Sequence, residues 1–344
     1  MAYSQNADLL PIKVKGKYGF IKKDGTIVIT PQFDYATGFS DGMAAVMIGR
    51  KYGYINTKGV YVINPTFDHG WRFVGGVAKI MSGSKFGYIN KLGKIAAQAQ
   101  FDSAAEVFTD NLALVKIGGP YGKWGYINNL GKYIINPQFG EALDFASQMA
   151  AVKKGDDWGF IDRTGKFIIK PQFEDALSFS EGMAAVKFKG SWCYIDTKGT
   201  IKINPTWAHA RSFSSGLAAI KIKNKWGYID KRGKYVINPQ FDDISTSFSE
   251  GYAMVKINGK WGYINSNGFL KIKAQFEEST SFSEGLAAVK FRGLWGYINK
   301  TGDWVVNPVF IDADAFSGTV ARVETADGFG YINKTGAYIW KPSK

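Results

Sequence analysis

One cysteine, Cys193, and two histidines, His69 and His209, are all that 344 residues provide of those types. A lone thiol forms no disulfide within the chain, and no Cys/His spacing matches a metal site. The chain also lacks a P-loop, a Gly-rich dinucleotide fingerprint after a strand, and a nucleophile elbow. Three Asp-x-x-Gly pieces (Asp162–Gly165, Asp196–Gly199, Asp230–Gly233) lack the further oxygen ligands of a calcium loop and read as turns. No apolar run is long enough to span a membrane, and the polar start, Met1–Leu10, has no secretory-leader profile. No Ser/Pro-rich linker or low-complexity tract marks a domain boundary. These absences lead to the expectation of a cytoplasmic, non-enzymatic protein without metal or cofactor.

What is present is repetition. An aromatic-Gly-aromatic-Ile motif, followed by Asn, Asp or once Lys, recurs ten times, with Cys193 standing once in the Gly slot. Its leading aromatics are Tyr18, Tyr52, Phe86, Trp124, Trp158, Trp192, Trp226, Trp261, Trp295 and Phe329. All but two of the intervals between them are 34 residues, the others being 38 and 35. A fixed period of this length marks a repeat architecture, in which each unit buries its apolar face on its neighbours. The expected organisation is an N-terminal extension over residues 1–10 and one continuous array of ten units over 11–342.

Each unit reads as an all-β, three-stranded meander. In the stretch 251–282, Tyr252–Ile257 is strand A and Trp261–Asn265 strand B, joined by Asn258-Gly259, a pair suited to a type I′ turn. A glycine in the B–C turn, Gly268 here, recurs in every unit, and strand C is clearest as Lys132–Asn136, ended by Pro137. The linker to the next unit, such as 171–182, reads as a docked irregular segment with one helical turn. The bare Gly of the motif and the Ala-Ala pairs of strand A suggest close packing between units, which makes the motif a rivet between neighbours. Cys193 is then either a tolerated small residue or a reactive thiol, and the first reading is favoured.

No blade is split between the termini, and ten three-stranded units exceed the usual four to eight propeller blades. Both points favour an open β-solenoid or superhelix, with a closed β-propeller as the alternative. The end units, with Tyr18 and Phe329 in place of Trp, would be caps.

The stretch Lys225-Trp226 through Val255, with its Lys-Trp-Gly-Tyr-Ile, Ile-Asn-Pro-Gln-Phe and Phe-Ser-Glu-Gly segments, resembles the bacterial WG (KWG) repeat. The resemblance covers about residues 11 to 342. It implies a repeat-built interaction module with no family-wide catalytic residues.

Two patterns could carry specificity. The penultimate residue of strand A is read as basic in nine units: Lys13, Lys79, Lys116, Lys153, Lys187, Lys221, Lys256, Lys290 and Arg322, with Met47 the exception. Lysines also open strand B in several units, while the linkers are acidic. With a net charge of +14, these lysines form either a basic stripe for an anionic polymer or a guard that keeps exposed strands from pairing. The second pattern is a pair of unusual linkers. One contains His69, Trp71 and Arg72; the other contains Trp207, His209 and Arg211. They are either relics of a four-unit duplication or an aromatic-plus-cation recognition patch. The overall expectation is a scaffold for a protein partner, with a nucleic acid or acidic glycan as the alternative ligand.

Overall fold

A computed structural model describes residues 9–245 and 247–342. The repeat period becomes ten small antiparallel sheets in chain order, nine with four strands and one with three. Blade 1 consists of β1 (Leu9–Val14), β2 (Lys17–Lys22) and β3 (Ile27–Phe33). Blade 2 consists of β4 (Tyr35–Ala36), β5 (Met43–Ile48), β6 (Lys51–Asn56) and β7 (Tyr61–Phe67). Blade 3 opens with β8 (His69–Val74). Blades 4 to 10 begin at residues 103, 141, 175, 209, 243, 278 and 312.

Strands A, B and C of the sequence are β5, β6 and β7 in blade 2. The linker is not the irregular segment with a helical turn that the sequence suggests. It contributes a fourth strand of two residues, β4, paired to strand A. Strand A has a free edge, and the docked linker has backbone groups to satisfy. Asp34 N–H accordingly donates to the Met47 carbonyl and Thr37 N–H to that of Ala45, both at 2.9 Å.

The turns follow their residue types. Asn258 and Gly259 have φ of 51° and 78°, as the type I′ hairpin requires. Gly268 has φ of 82°. The Asn that ends the motif locks the B–C turn: Asn56 Oδ1 accepts the N–H groups of Lys58 and Val60 at 3.0 and 3.1 Å. Blade 1 has Lys22 in that place, and Asp24 takes over by accepting Thr26 N–H at 2.9 Å. The bare Gly of the motif is not a rivet between units. A Cβ on Gly125 would lie 2.6 Å from the Ile135 carbonyl oxygen and from Pro137 N, on strand C of its own blade, where the register shifts.

The contact between units is made by the second aromatic of the motif. Tyr52, Tyr54 and Ile63 of blade 2 share a core with Phe73, Ala78, Ile80 and Ile89 of blade 3. The Tyr54 hydroxyl reaches across to donate to the Trp71 carbonyl at 2.9 Å. Tyr126, Tyr194, Tyr263 and Tyr297 make the same bond to the blade that follows, at 2.7 to 2.8 Å. A second clasp explains the Phe-Ser-Glu-Gly segment. Ser180 Oγ donates to the Phe213 carbonyl at 2.6 Å. Glu181 accepts Gly216 N–H at 3.1 Å and pairs with Lys231 at 3.2 Å.

Applied ten times, this heterologous joint closes. Leu10, Ile12 and Ile21 of blade 1 form one core with Val320 and Tyr331 of blade 10. The Tyr331 hydroxyl donates to the Pro11 carbonyl at 2.9 Å. The protein is therefore a ten-bladed β-propeller, and the expected open solenoid is overturned. The first and last blades share no sheet, and the seam is held by side chains instead. Each joint turns the chain by a tenth of a circle, and a head-to-tail contact with such a rotation forms a ring. Tyr18 and Phe329 are not caps either, since their rings stack on each other across the seam at 6.3 Å.

Burial falls from strand A, where Ala44, Ala45 and Val46 are fully covered, to strand C, where Val28, Val62 and Ile134 are exposed. Sheets that radiate from an axis diverge outward, so strand C is the rim strand.

Candidate functional site

Beside the A–B turns, each blade carries a cross-strand row of side chains on one face. In blade 5 the row is Glu141, Lys153 and Trp158, each paired with the next across the sheet. The lysine lies between an acid and an aromatic ring, so its charge is neutralised on one side and its methylene stem covered on the other. Lys153 meets Glu141 at 3.0 Å, and Lys290 meets Glu278 at 2.8 Å. Lys187 reaches Glu174 at 3.7 Å. Lys221 lies 5.5 Å from the centroid of Trp226, and Lys256 lies 5.6 Å from that of Trp261. The lysines opening strand B are likewise taken by the acid that follows strand C: Lys17 by Asp34 and Lys51 by Asp68, each at 2.5 Å, and Lys85 by Asp102. The basic stripe is thus interleaved with acids rather than segregated from them.

The register also corrects the membership of the row. Lys79 pairs with Tyr88 and Arg322 with Tyr331, two positions inward, and Met81 and Glu324 stand in the row instead. The position is basic in seven blades, and its exceptions are Met47, Met81 and Glu324.

The two methionine exceptions lie in adjacent blades. In blade 2 the row is Tyr35, Met47 and Tyr52; in blade 3 it is His69, Met81 and Phe86. Both rows lack the acid and the lysine. Their rings join those of the seam into one arc. Phe329 meets Tyr18 at 6.3 Å, Tyr18 meets Tyr35 at 5.5 Å, and Tyr35 meets Tyr52 at 6.1 Å. Tyr52 then stacks on His69 at 4.6 Å, His69 meets Trp71 at a tilt at 4.0 Å, and Trp71 meets Phe86 edge-on at 5.7 Å. The arc crosses blades 10, 1, 2 and 3, and Tyr35 is its most open member, 40% exposed.

The two histidine linkers part company here. In blade 3 the linker forms the six-residue β8, and one extra residue between Gly70 and Phe73 makes a bulge that re-aims Trp71 and Arg72. Gly70 is required because a Cβ would lie 2.8 Å from the Tyr54 hydroxyl. Lys79 Nζ sits 4.3 Å from the centroid of Trp71 and donates to the Ala104 carbonyl at 3.2 Å. Burial, and then the charge of Lys79, hold the His69 imidazole below the usual histidine range. Burial also lowers the Lys79 ammonium, with Glu106 opposing. Arg72 pairs with Glu106 at 3.2 Å.

At the other linker, Trp207 ends strand C of blade 6 and fills the buried position that Phe occupies in other blades, opposite Trp192, and its indole N–H points to the Tyr235 hydroxyl of blade 7 at 3.4 Å. His209 is exposed opposite Lys221, and Arg211 covers Trp226 at 5.0 Å. Trp207 is therefore a core residue, and only His69 and Trp71 join the arc. The sequence names Met47 only as the exception to a basic row and does not mark Tyr35 or Met81, although each departs from the repeat at the row position.

One further departure lies next to the arc. Three of the four extra residues of the 38-residue interval fall in the A–B hairpin of blade 4, where a short 3-10 turn, Gly119–Tyr121, presents Tyr121 at 94% exposure. Gly119 N–H on Asp102 at 2.7 Å and Lys116 Nζ on the Pro120 carbonyl at 3.1 Å hold this loop. Among the described residues no group of three or more metal-ligating side chains converges, and no helix is long and apolar enough to cross a membrane.

Solved structures of similar shape include a eukaryotic initiation factor, at 12% identity over 98% of this chain and 100% of that one, with a TM-score of 0.56. This likeness concerns the fold alone. AztD of Citrobacter koseri (11% identity, 88% and 93% covered, TM-score 0.39) and Hsv2 of Kluyveromyces lactis (12%, 62% and 86%, 0.39) align more loosely. No curated protein matches the chain in sequence.

Nine segments do match a repeat family: residues 18–52, 52–86, 86–121, 124–156, 158–192, 192–226, 226–261, 261–295 and 295–327. The segments begin at or beside a leading aromatic, on strand B of one blade, and extend through strand A of the next. The unit of sequence is thus the joint rather than the blade, and by these nine joints the chain belongs to the WG containing repeat family.

Proposed function

We propose that this propeller is a non-catalytic, cytoplasmic scaffold that recognises a protein partner through the face bearing the A–B turns of blades 10, 1, 2 and 3. The observation that carries this reading is the aromatic arc. In blades 5, 6, 8 and 9 the row satisfies itself with a lysine between an acid and a ring. In blades 2 and 3, at the centre of the arc, the charges are replaced by Tyr35, Met47, His69 and Met81, which solvent does not favour and which the repeat does not require. Tyr and Trp dominate binding hot spots because they bring large rigid area at small entropic cost. Tyr121 extends the same face. The single thiol, unpaired and buried, accords with a reducing compartment. An anionic polymer on the basic stripe is the weaker reading, because the stripe lysines already have acids or rings beside them.

A photo-crosslinking amino acid placed at Tyr35 or Tyr121 tests the proposal in cells. The expected result is one discrete protein adduct at these positions, lost when Trp71→Ser is added, and none at Tyr235 on the rim. Equal labelling at all three sites, or none at any, overturns it.

A further inference from the structure

The rim strand of each blade has a hydrogen-bonded neighbour on one side only. An open strand edge is a template for another chain, and proteins guard it with proline or with lysine. Eight blades carry proline at or just beyond the same rim position: Pro31, Pro65, Pro137, Pro171, Pro205, Pro239, Pro308 and Pro342. Blade 8 has Ala274 there but places Lys271 and Lys273 in its strand. Blade 3 has neither. Its rim strand, Ile95–Phe101, reads Ile-Ala-Ala-Gln-Ala-Gln-Phe, with no proline and no charge. Eight blades dispense with the amide proton at this position, so the N–H of Ala99 is not needed by the ladder of its own blade.

A second, independent feature surrounds that edge. The third residue of the B–C turn is polar or charged in eight blades, but it is Leu92 in blade 3 and Leu130 in blade 4, 75% and 77% exposed. The blade 4 turn lies directly on this strand, since a Cβ on Gly131 would meet Ala96 and Ala97. Ile95, 45% exposed, lies between the two leucines in sequence and begins the strand.

We propose that this rim edge of blade 3 pairs with the same edge of a second copy, joining two propellers through a continuous sheet. The observations favour a copy of this chain over a different partner in two ways. Antiparallel alignment of the strand on itself keeps the two Lys94 ammonium groups at opposite ends of the joint, each at the neutral Lys85–Asp102 pair of the other copy, so no like charges face each other. The paired segment itself contributes none of the +14 net charge that otherwise keeps copies apart. A single unguarded rim edge also makes the contact isologous, so association stops at two.

Sedimentation velocity of the whole chain across the micromolar range tests this. The wild type is expected at twice 38.0 kDa, and Ala99→Pro, which copies the residue of eight other blades, at once that mass. Gln98→Lys copies Lys273 of blade 8 and should likewise give a monomer, carrying the test alone if Ala99→Pro fails to fold by circular dichroism. Ala274→Pro in blade 8 should remain dimeric. A monomeric wild type overturns the proposal, whether or not it captures another protein, and so do variants at positions 98 and 99 that stay dimeric.

Discussion

Tyr331 and Pro11 stand 320 residues apart in the chain and are joined by a hydrogen bond of 2.9 Å, buried in the joint between the last blade and the first. The same tyrosine position makes the equivalent bond inside the ring, as when Tyr297 donates to the Asp314 carbonyl at 2.8 Å. Removing a hydroxyl from such a site strands a buried carbonyl, at a cost of about 1–3 kcal/mol. Tyr331→Phe and Tyr297→Phe should therefore lose comparable stability in urea unfolding. A Tyr331→Phe protein as stable as the wild type would show that the seam carries no load.

Gly125 has no room for a side chain. Its Cβ would press on backbone atoms of strand C, which cannot rotate away as a side-chain tip can. Gly125→Ala should cost about 1–3 kcal/mol, as overpacking does, and Gly131→Ala should be more harmful still, because the B–C turn holds φ at 74° and a Cβ would lie 2.1 Å from the Ala96 carbonyl oxygen. Thermal melts of the two variants against Gly155→Ala, where nothing lies within 4 Å although φ is 68°, separate crowding from backbone strain.

Cys193 is fully buried in the core between blades 5 and 6, and burial pushes its thiol up to about 11. The thiolate is the reactive form, and at neutral pH almost none is present. Ellman's reagent should leave the native protein unmodified for hours and titrate one thiol per chain once guanidinium unfolds the ring. Rapid native labelling would contradict the burial.

His69 makes the arc sensitive to acid. Its folded pKa lies below the free value of about 6.5, because burial and Lys79 disfavour the imidazolium. The unfolded chain therefore binds more protons in this window. The stabilisation is complete above the unfolded value and is lost as pH falls toward the folded one. The melting temperature should drop on going from pH 7.5 to 5.5, and less so in His69→Phe, which keeps a ring between Tyr52 and Trp71. Asp144 and Asp314, raised chiefly by desolvation, titrate alike in both proteins. Parallel pH profiles for wild type and variant would exclude His69 as the cause.

Local chemistry was the readable part of this chain. Asn258-Gly259 and Gly268 announce their turns because positive φ has few tolerant residues. The strands A, B and C follow from alternation around each motif. The two-residue strand Tyr35–Ala36 is too short for any alternation, and only the free edge of strand A creates it. Closure was hidden for a different reason: Tyr331 looks like every other motif tyrosine, and nothing near it in sequence names Pro11. The arc was half visible. His69 and Trp71 stand out by rarity, but Lys79 lies outside the row, because the position of the turn at Gly83 decides which residue of strand A is penultimate. Trp207 had the composition of a binding residue and the address of a core one.

Because a sequence repeat begins on strand B of one blade and ends on strand A of the next, duplicating or deleting one copy never leaves a half-built sheet. Such an event inserts or removes a complete hinge, with its tyrosine, its serine–glutamate clasp and its shared core intact. The circumference of the ring can thus change in whole steps by recombination alone, and the only quantity left to adjust is the angle at each hinge. For engineering, the splice points are the leading aromatics, and an eleven-hinge or nine-hinge circle differs from this one by a small change of angle distributed over every joint.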